Sequence, residues 1–278
     1  LKPSASLWKE SQTSQNVDPK PDNHLPCVLI IAMASEPFHI FNMAHNNLTT
    51  QYWTEFWKQH TKSLEAKDLQ TQVMRLDFSR KPISEEVWKG ILDYVLAFVQ
   101  PTDQDVALDL CCGNGLITRA LAPKAKTVYA VDLSPEFIAL IAKEGHRNVV
   151  TKVSDMRELE MPENSLTKII LYSSLHYIDS VEAVTLFSNM AKWLRKGGTA
   201  FIGDIPDKSH IWSYFNSTER KKAYFDAIVA GRQIMGNWFD MDYLAHLASY
   251  AGFSEISVHA QPSYIPYHDF RVDLLVRK

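Results

Sequence analysis

A chain of 278 residues, 46% of them hydrophobic, can fill one large packed core or one ordinary domain with an extension. A formal charge of −3 and the lack of any Lys/Arg-rich run give no general attraction to a phosphate backbone, so no nucleic-acid partner is expected. Three cysteines, two of them adjacent, suit neither a disulfide framework nor a structural zinc site, and point to a reducing cytoplasm and no resident metal. Residues 1–24 are rich in Ser, Gln, Asn, Asp, Pro and Lys, too polar to offset the entropy of ordering them, and read as a linker or mobile tail. The first residue, Leu1, is consistent with an excised domain of a longer polypeptide or with processing. The run "CVLIIAMA" (27–34) ends in a signal-peptidase-like Ala32-Met33-Ala34, yet it follows a long polar stretch and is far shorter than the roughly 20 residues that span a bilayer. A buried strand is the expectation there, with no membrane partner. Residues 1–47 as a whole read as an N-terminal extension.

Residues 48–104 read as a helical lid region. In "LTTQYWTEFWKQHTKSLE" (48–65), Tyr52, Trp53, Phe56, Trp57 and His60 fall at helical spacing; an aromatic stripe of this kind packs a core or covers a ligand. A second helix is expected over 84–99, with Ser84 as N-cap, Val87, Ile91, Leu92, Val95 and Phe98 on one side, and Pro101 as its stop. From residue 105 the pattern alternates. Strands are expected at 106–110, 127–133, 148–153, 167–172 and 199–205, with helix-like or loop stretches between most of them, which is the signature of a parallel sheet in an α/β fold. The helix 181–198 should face Val184, Phe187, Met190, Ala191 and Leu194 inward and stop at Gly197-Gly198. A helix over 240–253 ending at Gly252, then period-two runs at 255–261 and 270–278, read as a terminal antiparallel pair. Residues 207–240 break the alternation and read as an insert within the core 105–278.

Between the first strand and the next helix lies "DLCCGNG" (109–115). A strand, a glycine-bearing turn and a helix form a cradle for a nucleotide-like cofactor. A nicotinamide site wants a third glycine where Thr118 stands, and a P-loop wants a Gly-Lys-Ser/Thr that does not follow. The stretch resembles instead the first motif of the class I S-adenosylmethionine-dependent methyltransferases, acid-x-Gly-x-Gly-x-Gly, written here as Asp109-Leu110-Cys111-Cys112-Gly113-Asn114-Gly115 with Cys111 in place of the first glycine. The resemblance runs over roughly 84–278. It takes in "VYAVDLSPE" (128–136), "VSDMRELEMPENS" (153–165), "KIILYSSLHYID" (168–179), "LRKGGTAFIGDI" (194–205), and the final "AGF" helix and strand pair.

The resemblance implies a Rossmann-like α/β fold, a mostly parallel seven-stranded sheet with a C-terminal antiparallel pair and helices on both faces. It implies S-adenosylmethionine as cofactor and S-adenosylhomocysteine as product. Asp109 would serve the ammonium group directly or through water, and the cofactor-binding loop Cys111, Gly113, Asn114 and Gly115 would let the methionyl moiety and ribose lie against the backbone. Asp132 would accept from the ribose hydroxyls, Leu133 would lie beside the adenine, Asp155 and Met156 would hold its amino group and cover its ring, and Tyr172 would end the fourth motif against the cofactor. Cys111 and Cys112 read as small loop residues and not as reactive thiols.

Methyl transfer is an in-line displacement, and a hydroxyl or acidic carbon acceptor must also lose a proton. His176 after the fourth strand is the expected base and Asp204 after the fifth its orienting partner; the alternative is that both merely line the pocket. Tyr177, His210 and His268 are weaker candidates. The aromatic helix and the insert, with Trp212, Tyr214, Phe215, Tyr224 and Trp238, would cover the acceptor. Lys221, Lys222 and Arg232 form a solvated helix face or a face for an acidic carrier. The expected activity is O-methylation of a small molecule, free or tethered to an acyl carrier domain of a polyketide or peptide assembly line. C-methylation of a β-ketoacyl chain, a stand-alone sugar or phenol methyltransferase, and a cofactor-binding module without chemistry stay open. Oligomeric state is not legible.

Overall fold

In the computed structural model the described residues are 48–63, 68–77, 81–230 and 234–278. The expectations for residues 1–47, Cys27 included, and for Arg232 lie outside them. Helix α1 (Leu48–His60) runs into a 3₁₀ turn (Thr61–Ser63), and the short α2 (Leu69–Gln72) begins at Asp68, whose carboxylate accepts from the Gln70 and Thr71 N–H groups. Helix α3 (Glu85–Val99) starts as expected at Ser84, whose side chain accepts from Val87 N–H; it ends through Gln100 in the left-handed conformation, just before Pro101.

The strands are β1 (Val106–Leu110), β2 (Thr127–Asp132), β3 (Val149–Val153), β4 (Leu166–Tyr172), β5 (Leu194–Pro206), β6 (Glu255–Ala260) and β7 (Arg271–Arg277). Helices α4 (Leu116–Leu121), α5 (Pro135–Lys143) and α6 (Ser180–Trp193) connect the first five; α7 (Ile211–Tyr214) and α8 (Thr218–Val229) belong to the insert, and α9 (Met241–Ala251) ends at the left-handed Gly252. The seven strands form one sheet in the order β3-β2-β1-β4-β5-β7-β6. Strands β1 to β5 are parallel, and β7 runs antiparallel to both β5 and β6. The α/β architecture expected from sequence, with its terminal antiparallel pair, is the architecture observed.

One boundary differs. The helix read through Gly197-Gly198 stops at Trp193, and β5 begins at Leu194, which pairs with Leu166 before the strand bulges and resumes at Thr199. Helical spacing in "AKWLRKGG" is real, but Leu194 is buried against β4, so sheet pairing overrides local propensity.

Both faces of the sheet are buried, and the period-two alternation of β1 shows how. Leu108 and Leu110 join Phe187 and Met190 of α6 and Leu244 and Ala248 of α9, whereas Ala107 joins Trp88, Ile91 and Val95 of α3 on the opposite face. Strand β1 lies between β2 and β4, so successive connections leave it toward opposite edges. A crevice opens at such a switch point beside the carboxyl ends of the strands. Next to it the β5–β7 register shifts between Ile202 and Ile205, and Asp204 sits in this irregularity with φ 63°. Bulges of this kind re-aim a side chain.

Candidate active site

Asp109 is the fourth residue of β1 and is buried, accepting a 2.6 Å hydrogen bond from Thr118 Oγ1. Burial raises its carboxyl to about 7, with the Thr118 bond pulling the other way. Asp132 ends β2; its Oδ2 accepts from Gly113 N–H and its Oδ1 from Ser134 N–H, both at 2.9 Å, and burial still raises it to about 6. Neither acid has a basic side chain among the groups that set its titration. Both line one cavity together with Leu133, Asp155, Met156 and Tyr172. Two buried carboxylates without a counter-ion fit a ligand that brings its own positive charge.

The loop between β1 and α4 needs left-handed backbone at Cys111 (φ 59°), Gly113 (φ 54°) and Gly115 (φ 84°). A cysteine accepts that conformation at a cost of about 1–2 kcal/mol, so the departure from the glycine pattern at Cys111 leaves the turn intact. The other two glycines also make room within the chain. A Cβ on Gly113 would lie 2.8 Å from Val73 Cγ1, and one on Gly115 2.7 Å from Ile141 Cγ1, so they accommodate the chain's own side chains. Burial pushes both the Cys111 and Cys112 thiols well above their usual range, in keeping with small loop residues.

Asn114 holds the lid region. Fully buried, its Nδ2 donates to Leu69 O at 2.9 Å and Gln72 Oε1 at 2.8 Å. Helix α1 is pinned near both ends: Thr50 Oγ1 donates to Glu182 Oε2 on α6 (2.7 Å), and Thr61 Oγ1 in the following turn donates to Glu136 Oε2 on α5 (3.1 Å). Its Trp53 and Trp57 pack on Tyr177 at 5.2 and 5.9 Å and line the same cavity as Asp109 and Asp132. Asp155 already has a partner within the chain. Arg157 Nε donates to its Oδ1 (2.9 Å) and Nη2 to its Oδ2 (2.6 Å), so an adenine amino group would share acceptors already in use. Burial works against the charge of Asp155, but the hydrogen bonds of Arg157 hold it below the usual carboxylate range.

A second cavity of about 320 Å³ adjoins the first, and Trp53, Val73, Arg75, Tyr172, Ser173 and Tyr177 line both. His176 and Asp204 line the second cavity, as the strand-end argument anticipates. His176 sits in a 3₁₀ turn (Leu175–Tyr177) and is 4% exposed; its Nδ1 has no hydrogen-bond partner. Burial, then the charge of Arg271, keeps its pKa well below the ordinary histidine value, so the ring is neutral. The insert fixes this turn from outside. Asn237 N–H donates to His176 O (2.7 Å), and a Cβ on Gly236 would come within 2.2 Å of that same oxygen.

The expectation that Asp204 orients His176 is corrected. The Asp204 Oδ2 accepts from Arg271 Nη1 at 2.5 Å and from Arg75 Nη1 at 3.0 Å, and no hydrogen bond joins it to His176 among the described residues. Burial opposes the charge, yet Arg271 and then Arg75 bring Asp204 down to about 2, so it reaches His176 through its field alone. Two large cations outcompete one neutral imidazole for the same carboxylate.

Of the insert aromatics only Tyr214 lines the cavity, beside the neighbouring Ile234 and Met235. Phe215 and Trp238 are buried with Phe270 and Ile211 in a separate small core, Tyr224 packs against it, and Trp212 is 48% exposed. Tyr177 lines both cavities, whereas His210 (Nδ1 3.0 Å from Asp207 Oδ2) and His268 (Nδ1 3.1 Å from Ile265 O) line neither. Lys221 and Lys222 are exposed on α8, and Lys222 pairs with Asp226 at 2.6 Å. Sequence reasoning missed Arg75, Arg157 and Arg271. An Arg-x-Asp (271–273) inside an otherwise apolar strand was a usable signal for a buried ionic cluster. Arg75 lies in the segment between α2 and α3 and carried none.

Residues 107–198 match the family model for a methyltransferase domain. Among curated relatives, phosphoethanolamine N-methyltransferase 1 of Triticum aestivum is 28% identical over 156 residues, and phosphoethanolamine N-methyltransferase 3 of Arabidopsis thaliana is 30% identical over 157. Each match covers 53% of this chain but 29% of the relative, so the chain spans less than a third of their length. Magnesium protoporphyrin IX methyltransferase from Synechocystis PCC 6803, solved with bound S-adenosylhomocysteine, superposes with a TM-score of 0.58 at 15% identity, covering 83% of this chain and 100% of that one. Phosphoethanolamine N-methyltransferase 1 of Haemonchus contortus gives 0.60 at 15% identity, covering 82% of this chain and 48% of the other. Residues 107–198 thus match a methyltransferase domain, and the chain shares its fold with solved methyltransferases.

Proposed function

We propose that the protein transfers a methyl group from S-adenosylmethionine to an oxygen of a small-molecule acceptor, leaving S-adenosylhomocysteine. The observation that carries this reading is the pair of adjoining cavities. One is lined by the uncompensated acids Asp109 and Asp132 at the ends of β1 and β2, the other by His176 and Asp204, and Arg75, Tyr172 and Tyr177 line both. The sulfonium of the cofactor supplies an electrophilic methyl group. Asp109 and Asp132 bind and orient the charged and hydroxylated parts of the ligand. Trp53 and Tyr177 wall the junction, with Trp57 beside them in the first cavity, and exclude water.

His176 is the proposed proton acceptor. Being neutral, it can take a proton from an acceptor hydroxyl on its ring, whose Nδ1 has no hydrogen-bond partner among the described residues. Tyr172 and Tyr177 are poorer candidates, since burial pushes Tyr177 up to about 12 and Tyr172 well above its usual value, so both stay protonated. Mass spectrometry of methyl transfer to hydroxy acids, phenols, sugars and carrier-tethered hydroxyacyl chains tests the reading. With the acceptor so identified, His176→Ala should lower turnover about 10²- to 10⁴-fold while S-adenosylhomocysteine binds as in the parent. Undiminished turnover in that variant removes His176 from the chemistry.

A further inference from the structure

The two cavities differ in charge. Asp109, Asp132 and Asp155 line the first, where Arg157 is already paired with Asp155 and Arg75 stands at the junction with the second. The second is lined by two guanidiniums, Arg75 and Arg271, and one carboxylate, Asp204, with His176 neutral. Asp273 lies behind, accepting from Asp204 N–H (2.7 Å) and Gln261 Nε2 (2.9 Å), and does not line the cavity.

Arg271 is fastened by one edge. Its hydrogen bonds to Asp204 Oδ2, Asp204 O and Ser173 Oγ all leave from Nη1, while Nε is buried without a partner among the described residues. With a side chain 6% exposed, it has little water to complete its hydrogen bonding, and the Tyr267 and Phe270 rings at 5.6 and 5.9 Å offer only their faces. The free edge of a guanidinium is a fork that matches two oxygens of one oxyanion. Arg75 also gives Nη1 to Asp204 and stacks on Tyr172 at 4.7 Å, so its charge is held at the junction of the cavities. Two more buried polar atoms of lining residues lack partners, Tyr172 Oη and His176 Nδ1. Phe56, Ile83, Ile91 and Ile265 give the rest of the wall an apolar character.

We propose that the acceptor is a small organic acid whose oxyanion, a carboxylate or a phosphate, docks on Arg75 and Arg271, with its apolar body against Phe56, Ile83, Ile91 and Ile265. This rests on the reading of the second cavity as the acceptor site. The anionic group fills the free guanidinium edge and brings the excess of positive charge to balance. It also places acid recognition at one end of the cavity while a hydroxyl of the same molecule is free to meet His176. A neutral isostere leaves the same donors buried and unpaired, which is how a site rejects an analogue that lacks the matching group.

Calorimetry on the full chain loaded with S-adenosylhomocysteine tests this, using benzoate, phenyl phosphate and the neutral benzyl alcohol as probes. One or both acids should bind at least tenfold tighter than the alcohol, and the preferred acid tells carboxylate from phosphate. Arg75→Gln should reduce that ratio to about threefold or less, and Arg75→Lys should retain most of it. Equal binding of acid and alcohol, no saturable binding of either acid, or an unchanged ratio in Arg75→Gln overturns the proposal. Should Arg75→Gln fail to fold, the parent ratio and Arg75→Lys decide the matter. Failure to bind S-adenosylhomocysteine strikes the methyl-transfer reading; normal binding of it without acid preference strikes only this proposal.

Discussion

Thr118→Val removes one hydrogen bond from Asp109 while keeping the shape of a fully buried side chain. The Thr118 hydroxyl stabilises the ionised carboxylate, whereas burial favours the neutral acid and wins, which places Asp109 at about 7. A hydrogen bond to a charged group is worth about 1.5–3 kcal/mol, and about 1.4 kcal/mol corresponds to one pH unit, so the variant should titrate about one to two units higher. A cofactor ammonium prefers the ionised acid, so affinity rises with pH through this titration. At pH 7 the ionised fraction falls from about half to between about a tenth and a hundredth, a loss of about five- to fiftyfold in S-adenosylhomocysteine affinity that recovers at higher pH.

Calorimetry from pH 5.5 to 9, in buffers of different ionisation enthalpy, measures both the affinity and the protons released on binding. The cofactor-free protein gives a second readout. Because the folded value of Asp109 lies above its ordinary 3.8, its ionisation opposes folding. The contribution is full below pH 3.8 and is lost as pH rises through 7, so Tm should decline across that window and the variant should extend the decline upward. A binding midpoint that does not move in Thr118→Val, or affinity independent of pH in the parent, refutes the assignment of Asp109 as the acid that meets the cofactor's charge.

Two further outcomes concern the supports of the site. Gly236→Ala puts a Cβ where only 2.2 Å separates it from His176 O, at a φ of 82°, so the 175–177 turn must shift by about 1 Å; such a misplacement costs about 100-fold in turnover, while S-adenosylhomocysteine affinity should stay within about twofold. Asn114→Ala deletes both bonds that tie residues 69–72 to the β1–α4 loop; hydrogen exchange should accelerate over 69–77 with β1 to β4 unchanged, and protection equal to the parent contradicts the tether.

Much of the sheet was legible because its signals are local. Apolar runs bounded by turn residues locate β1 to β4 within a residue or so, and Ser84, Gly252 and the glycines after β1 mark ends that depend on backbone conformation alone. The two buried acids of the first cavity were legible for a related reason: Asp109 and Asp132 stand at the carboxyl ends of strands, and strand ends can be read from a pattern. The start of β5 was not, since Leu194 becomes strand by pairing with Leu166, a partner remote in the chain.

The sequence by itself therefore determined the α/β alternation, the glycine-bearing turn after β1, and the placing of His176 and Asp204 at neighbouring strand ends. Tertiary structure alone decided which partner Asp204 takes. Arg271 comes from β7 and Arg75 from the segment after α2, 67 and 129 positions away, and both bond the carboxylate that sequence logic assigns to His176. It also decided that Gly113 yields space to Val73 and that Gly236 closes on His176. Charge pairing and close approach depend on distances between groups that folding brings together, and no local pattern in the chain encodes those distances.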